Sequence, residues 1–145
     1  MKGISTGVCG VLGAELCQRL LQLGERTGPW GKPKEIREIV LLDAAFHRPA
    51  TDPRVRQIQG DIGDRALVES VLADERIDVV VNFAAESHNS LAVVDPERFV
   101  RTNVLGTQSF ADSARTAGVA RFHHIPTQQG YGHTPRAPAA AVPHA

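Results

Sequence analysis

The run DVVVNFA (residues 78–84) constrains this chain most. Three consecutive valines leave no polar face, so a strand here must be covered on both sides, as in the interior of a parallel sheet. REIVLLD (37–43) reads the same way. Weaker strands are expected at GIST (3–6), where Gly3 and Ser5 dilute the pattern, at VRQIQ in the 54–59 region, and at ARFHHI (120–125). Helical patterns lie between them. GAELCQRLLQL (13–23) places Leu16, Leu20 and Leu23 on one face with Cys17 and Leu21. RALVESVLADE (65–75) gathers Leu67, Val68, Val71 and Leu72 behind Asp64 as N-cap. DPERFVRTNVLGTQSFADSARTAG (95–118) starts on Asp95 and Pro96 and stops at Gly118, with Val100, Val104, Thr107, Ala111 and Ala114 at helical spacing. GERTGPWGKPKE (24–35) reads as a Gly/Pro-rich surface loop. Strands alternating with helices predict an α/β, doubly wound, mostly parallel sheet of about five strands.

A chain of 145 residues can bury one such core. The pattern occupies residues 1–131, while 132–145, dominated by Pro, Ala and His, is expected to be a disordered tail. Sixteen Lys and Arg balance sixteen Asp and Glu, which removes the electrostatic case for nucleic acid or an anionic membrane as partner. No apolar run is long enough to span a bilayer, and glycines interrupt the N-terminal stretch MKGISTGVCG, so neither a membrane anchor nor a signal peptide is expected. Cys9 and Cys17 form no metal or disulfide spacing, which makes a reducing cytoplasm the default location and leaves no metal site in view.

STGVCGVLGAEL carries Gly7, Gly10 and Gly13 between a strand and an amphipathic helix. Such a turn needs positive φ, close approach of a phosphate to the backbone, and tight packing of helix on sheet. The helix start at Val11 and Leu12 then offers free N–H groups to a pyrophosphate. The competing explanation is an ordinary strand-to-helix turn. Asp43, ending IVLLD, suits the ribose hydroxyls of an adenosine and repels a 2′-phosphate, which favours NAD over NADP; a solvated strand-end carboxylate is the alternative. The distance from Gly13 exceeds the usual spacing of about 20 residues, and the 24–35 loop accounts for the excess. In GDIGD (60–64), Asp61 and Ile62 could meet an adenine, or Asp61 and Asp64 could be no more than turn and cap. These features point to a Rossmann-type nucleotide fold. His123 and His124, adjacent on a strand, face opposite ways and read as structural.

With GDIGDRALVES, VNFAAESH (81–88) and FVRTNVLGTQSFADSARTAGVARFHHI (99–125), the chain resembles the NAD-dependent epimerase/dehydratase family of extended short-chain dehydrogenase/reductases. Within it the similarity is to the dTDP-glucose 4,6-dehydratases over residues 1–132, the N-terminal half of a typical member. LCQRLLQLGERTGPWGKPKEIREIVLLD looks more like the sugar-acid dehydrogenases of the same group. The resemblance implies that Gly7, Gly10, Val11, Leu12 and Gly13 hold the NAD pyrophosphate, Asp43 the adenosine ribose, and Asp61 with Ile62 the adenine. It implies that Phe83, Ala84 and Ala85 line the cofactor, that Asn103 braces it, and that Glu86, Ser87 and His88 face a nucleotide-sugar substrate. Thr127 matches a catalytic position.

The same resemblance marks departures. Gln128 and Gln129 stand where the dehydratases carry the Asp and Glu that move protons, and carboxamides cannot exchange a proton at neutral pH. Tyr131 is the only Tyr, Pro135 lies four residues on, and the last Lys is Lys34, so the family's redox Tyr-x-x-x-Lys pair has no counterpart in these residues. The expectation is a truncated cofactor-binding domain, inactive alone. An NAD-sensing or subunit-interaction module, a sugar-acid dehydrogenase fragment and an enzyme completed by a second subunit remain open. An exposed sheet edge makes self-association a further expectation.

Overall fold

The apolar strands pair side by side and in parallel. The computed structural model describes residues 1–28, 31–87 and 93–126. In chain order the elements are β1 (Lys2–Thr6), α1 (Val11–Leu23), β2 (Glu25–Thr27), β3 (Pro33–Glu35), β4 (Glu38–Asp43), β5 (Val55–Gln59), α2 (Arg65–Glu75) and β6 (Val79–Asn82). They continue with α3 (Pro96–Phe99), a π-helical stretch (Val100–Gly106), α4 (Thr107–Thr116) and β7 (Arg121–His124). Five strands form one sheet in the order β5-β4-β1-β6-β7, every neighbour parallel. The strand read as poor from its Gly3 and Ser5 is therefore the central one, held by ladders on both sides.

Alternation along β4 shows why the sheet is doubly wound. Ile39 and Leu41 point to one face and pack with Val8 and, from α1, Cys17, Leu20 and Leu21. Val40 and Leu42 point to the other, joining Ile4, Val80, Val68 and Leu72 of α2, and Phe110 and Ala114 of α4. Phe110 is fully buried and meets Phe122 edge to face, centroids 5.5 Å apart. Asp64 caps α2 as expected, accepting from the Leu67 N–H at 3.1 Å.

Three expectations need correction. Residues 24–35 are not only loop: β2 and β3 form a short antiparallel hairpin. Gly24, at φ 70°, ends α1, and its carbonyl accepts from the N–H of Ile36, which is buried under α1. The helix read over 95–118 changes pitch across Val100–Gly106. That shift turns Val100 and Val104 outward, more than half exposed, and buries Gly106, Phe110 and Ser113 instead, while Ala114 is buried as expected. Leu23, at the end of α1, also faces solvent. Among the described residues no helix is long and apolar enough to cross a membrane. The expected tail, 132–145, lies outside the described residues.

The two readings of the long helix separate in denaturant unfolding. Phe110→Ala should cost about 3–5 kcal/mol, through the lost apolar burial and the cavity left where the ring was. Val104→Ser should change stability by no more than about 0.5 kcal/mol, as at an ordinary exposed site.

Candidate functional site

The carboxyl ends of β1, β4, β5 and β6 open on a single cavity of about 850 Å³, the place where doubly wound sheets bind ligands. The three glycines at its floor have separate jobs. Gly7 adopts φ 63°, and a Cβ there would sit 2.6 Å from the Phe83 carbonyl carbon. Gly13 is buried; its Cβ would meet the Gly7 carbonyl oxygen at 2.8 Å, so it sets how closely α1 lies on β1. Gly10 has only the Gly7 oxygen within reach, at 3.3 Å, and lines the cavity. It is the N-cap of α1, with no side chain capping the helix and no acidic residue in the first turn. The free N–H groups of the first turn, with exposed Val11 and Leu12, thus begin at the cavity wall.

Acidic groups stand at the β4 and β5 ends. Asp43 lines the cavity and accepts from the Cys9 N–H at 2.9 Å, tying the glycine turn to the strand end. The Cys9 thiol reinforces this tie, donating to the Ala45 carbonyl at 2.8 Å. Desolvation, followed by the negative charge of Asp43, holds this thiol above its ordinary pKa. Asp61 lines the cavity too, while its carboxylate accepts from the Gly63 N–H at 2.8 Å. Its turn role is therefore real, beside any ligand role. Ile62 is buried below it. Gly106 of the π stretch packs on Ile62, with 3.2 Å from a built Cβ to Cγ1.

The β6 end is set by a buried polar network. Asn82 and Thr6 are fully buried. The Thr6 hydroxyl donates to Asn82 Oδ1 at 2.5 Å, and the Ala84 N–H reaches both Thr6 Oγ1 and Asn82 Oδ1 at 3.2 Å. With its oxygen so occupied, the Asn82 amide nitrogen faces Thr107 Oγ1 at 3.5 Å and His124 Nδ1 at 3.3 Å, so that ring nitrogen is the acceptor. His124, at the end of β7, thus joins the polar network at the β6 end. Phe83, Ala84, Ala85, Glu86 and Ser87 follow and line the cavity. Asn103 does not line it. It clamps the loop from behind, accepting from the Glu86 N–H at 2.8 Å and donating to the Glu86 carbonyl at 2.9 Å. The Glu86 carboxylate bonds Arg98 Nη2 at 2.6 Å and Nε at 2.8 Å.

The structure thus gathers the glycines, Val11, Leu12, Asp43, Asp61, Ile62 and residues 83–87 around one cavity. His88 and Thr127 lie outside the described residues. Sequence reasoning missed Arg98, Arg101 and Thr102 on the cavity wall and Thr6 and Asn82 beneath it. The adjacent DPERF signal was read only as a helix start. Among the described residues no cluster of metal-ligating side chains occurs.

Comparison with known proteins agrees with this geometry. The model of the GDP-mannose 4,6 dehydratase family matches residues 4–141. A dTDP-glucose 4,6-dehydratase of Streptomyces antibioticus is 36% identical over 132 residues, covering 91% of this chain and 39% of that protein. The low-salt glycan biosynthesis protein Agl12 of Haloferax volcanii is 36% identical over 140 residues, 91% of this chain and 41% of its own length. Among solved structures, a double mutant of DesIV, the dTDP-glucose 4,6-dehydratase of Streptomyces venezuelae, with NAD and DAU bound, superposes with TM-score 0.77 at 32% identity. That match covers 94% of this chain and 42% of DesIV. The chain thus spans about two-fifths of the length of these relatives.

The Asp43–Cys9 contact predicts a chemical signature. In a Cys17→Ser background, Asp43→Asn removes the charge that disfavours the Cys9 thiolate, so iodoacetamide should alkylate Cys9 faster at pH 8 than in the parent. An unchanged rate would show that Asp43 exerts no field on the thiol.

Proposed function

The chain belongs to the GDP-mannose 4,6 dehydratase family, and from that premise we propose that its cavity binds NAD in the service of redox chemistry on a nucleotide-activated sugar. The observation that carries the reading is an uncapped helix N-terminus opening, beside a strand-end carboxylate, on a cavity large enough for a dinucleotide. The residues fit the group. Gly10 presents no side chain to an approaching pyrophosphate, and the N–H groups at Val11 and Leu12 supply its donors. Asp43 accepts from ribose hydroxyls and opposes a 2′-phosphate. Asp61 and Ile62 border the adenine, while Phe83, Ala84 and Ala85 wall the far half. Asn103 braces that wall through Glu86. The NAD carried by the DesIV structure supports the assignment.

NAD, when bound, supplies a hydride acceptor at its nicotinamide ring. This chain's part is to orient the dinucleotide along the strand ends, and the family resemblance gives Glu86, Ser87 and His88 to the sugar-nucleotide side. Thr127 matches, in sequence, the family's catalytic position. Gln128 and Gln129 offer hydrogen bonds at the neighbouring positions but no titratable proton, so removal of water from the sugar lacks its acid and base.

Fluorescence and calorimetric titration should therefore give saturable NADH binding, weaker for NADPH. Asp43→Ala should raise the NADH Kd by about tenfold or more, as expected for loss of charge-assisted hydrogen bonds. Absence of NADH binding by the parent chain would refute the proposal. Incubation with dTDP-glucose and NAD should yield no dehydrated sugar; turnover by this chain would contradict the role given to Gln128 and Gln129.

A further inference from the structure

We propose that Arg98 is a positioning residue for the nicotinamide half of the site, acting through Glu86; the inference rests on the cofactor reading above. Glu86 is held at two levels. Asn103 fixes its backbone in both directions, at 2.8 and 2.9 Å, and Arg98 fixes its carboxylate through two nitrogens on one oxygen, at 2.6 and 2.8 Å. Arg98 and Asn103 are five residues apart. On a regular α-helix they would point about 140° apart and could not share a target. The widening from Val100 onward, where hydrogen bonds close five residues apart, brings both to Glu86. The π stretch therefore has a visible product: a rigid seat for one residue of the cavity wall.

The position of that seat assigns its role. Asp43 and Asp61 end β4 and β5 on one side of the glycine turn, so the adenosine half lies there. The second nucleoside must continue over the β6 and β7 ends, where residues 83–87 stand with Ile125 and Pro126. The ion pair is half sheltered: the Glu86 side chain is only 18% exposed, whereas Arg98, at 57%, stays open to solvent where it lines the same cavity. Without Arg98, the carboxylate is free to turn toward water, and Asn103 alone holds the loop at Glu86. Among the described residues no hydrogen bond or ion pair joins the pair to Asp43 or Asp61 on the adenosine side.

The test is a comparison of two ligands on one variant. In Arg98→Ala the NADH Kd should rise by about fivefold, the upper end for a partly exposed ion pair, while the Kd for ADP, which fills only the adenosine side, stays within about twofold. Arg98→Lys should recover most of the NADH affinity, and the melting temperature of both variants should stay within about 2 °C of the parent. Unchanged NADH affinity in Arg98→Ala, or equal weakening of NADH and ADP, would overturn the proposal. A parent chain that binds ADP but not NADH would also overturn it, and one that binds neither would remove the cofactor reading itself.

Discussion

At Gly7 the central strand turns with φ 63°, and its backbone passes so close to Phe83 and Ala84 that no side chain fits between them. The site depends on that approach. It brings the end of β1 against the end of β6, lets Thr6 and the Ala84 N–H share Asn82, and starts α1 at the cavity wall. A Cβ at Gly13 would undo the same arrangement from the helix side by pressing on the Gly7 carbonyl. Gly7 and Gly13 serve the protein's own packing while also lining the cavity, and of the three only Gly10 is exposed. The fingerprint thus encodes the geometry of a strand–turn–helix first and a ligand second.

This division explains what could be read from the residues. IVLLD and DVVVNFA announce buried parallel strands because neither has a polar face, and Asp64 and the Asp95–Pro96 pair announce helix starts through local hydrogen bonding. β1 was the exception: Gly3 and Ser5 suppress the apolar signal, yet ladders on both sides make it central. The pitch change at Val100–Gly106 left no mark either, because Val100 and Val104 keep α-helical spacing while the chain departs from it. The hairpin of β2 and β3 was hidden by a Gly and Pro content that reads as loop, and only the burial of Ile36 reveals why it folds back.

The same limits apply to the site. Asp43 was legible because strand ends are where such folds place ligands, and residues 83–87 through the family resemblance of VNFAAESH. Asn103 was legible as a residue that matters, though its contact is to Glu86 and not to the cavity. Arg98 was not legible, since its partner depends on a helical pitch that no local pattern specifies. Asn82 and Thr6 were concealed inside apolar runs, where a buried polar pair is visible only once the strands are paired.

The central claim is that the strand-end cavity is the dinucleotide site. Backbone amide shifts recorded by NMR during NAD titration test it residue by residue. Saturable shifts are expected at Gly7 to Gly13, at Asp43 and Asp61, and across Phe83 to Ser87, with the hairpin of Glu25–Thr27 and Pro33–Glu35 unmoved. Shifts concentrated on that hairpin or on the outer face of Thr107–Thr116, with the glycine turn silent, would contradict it.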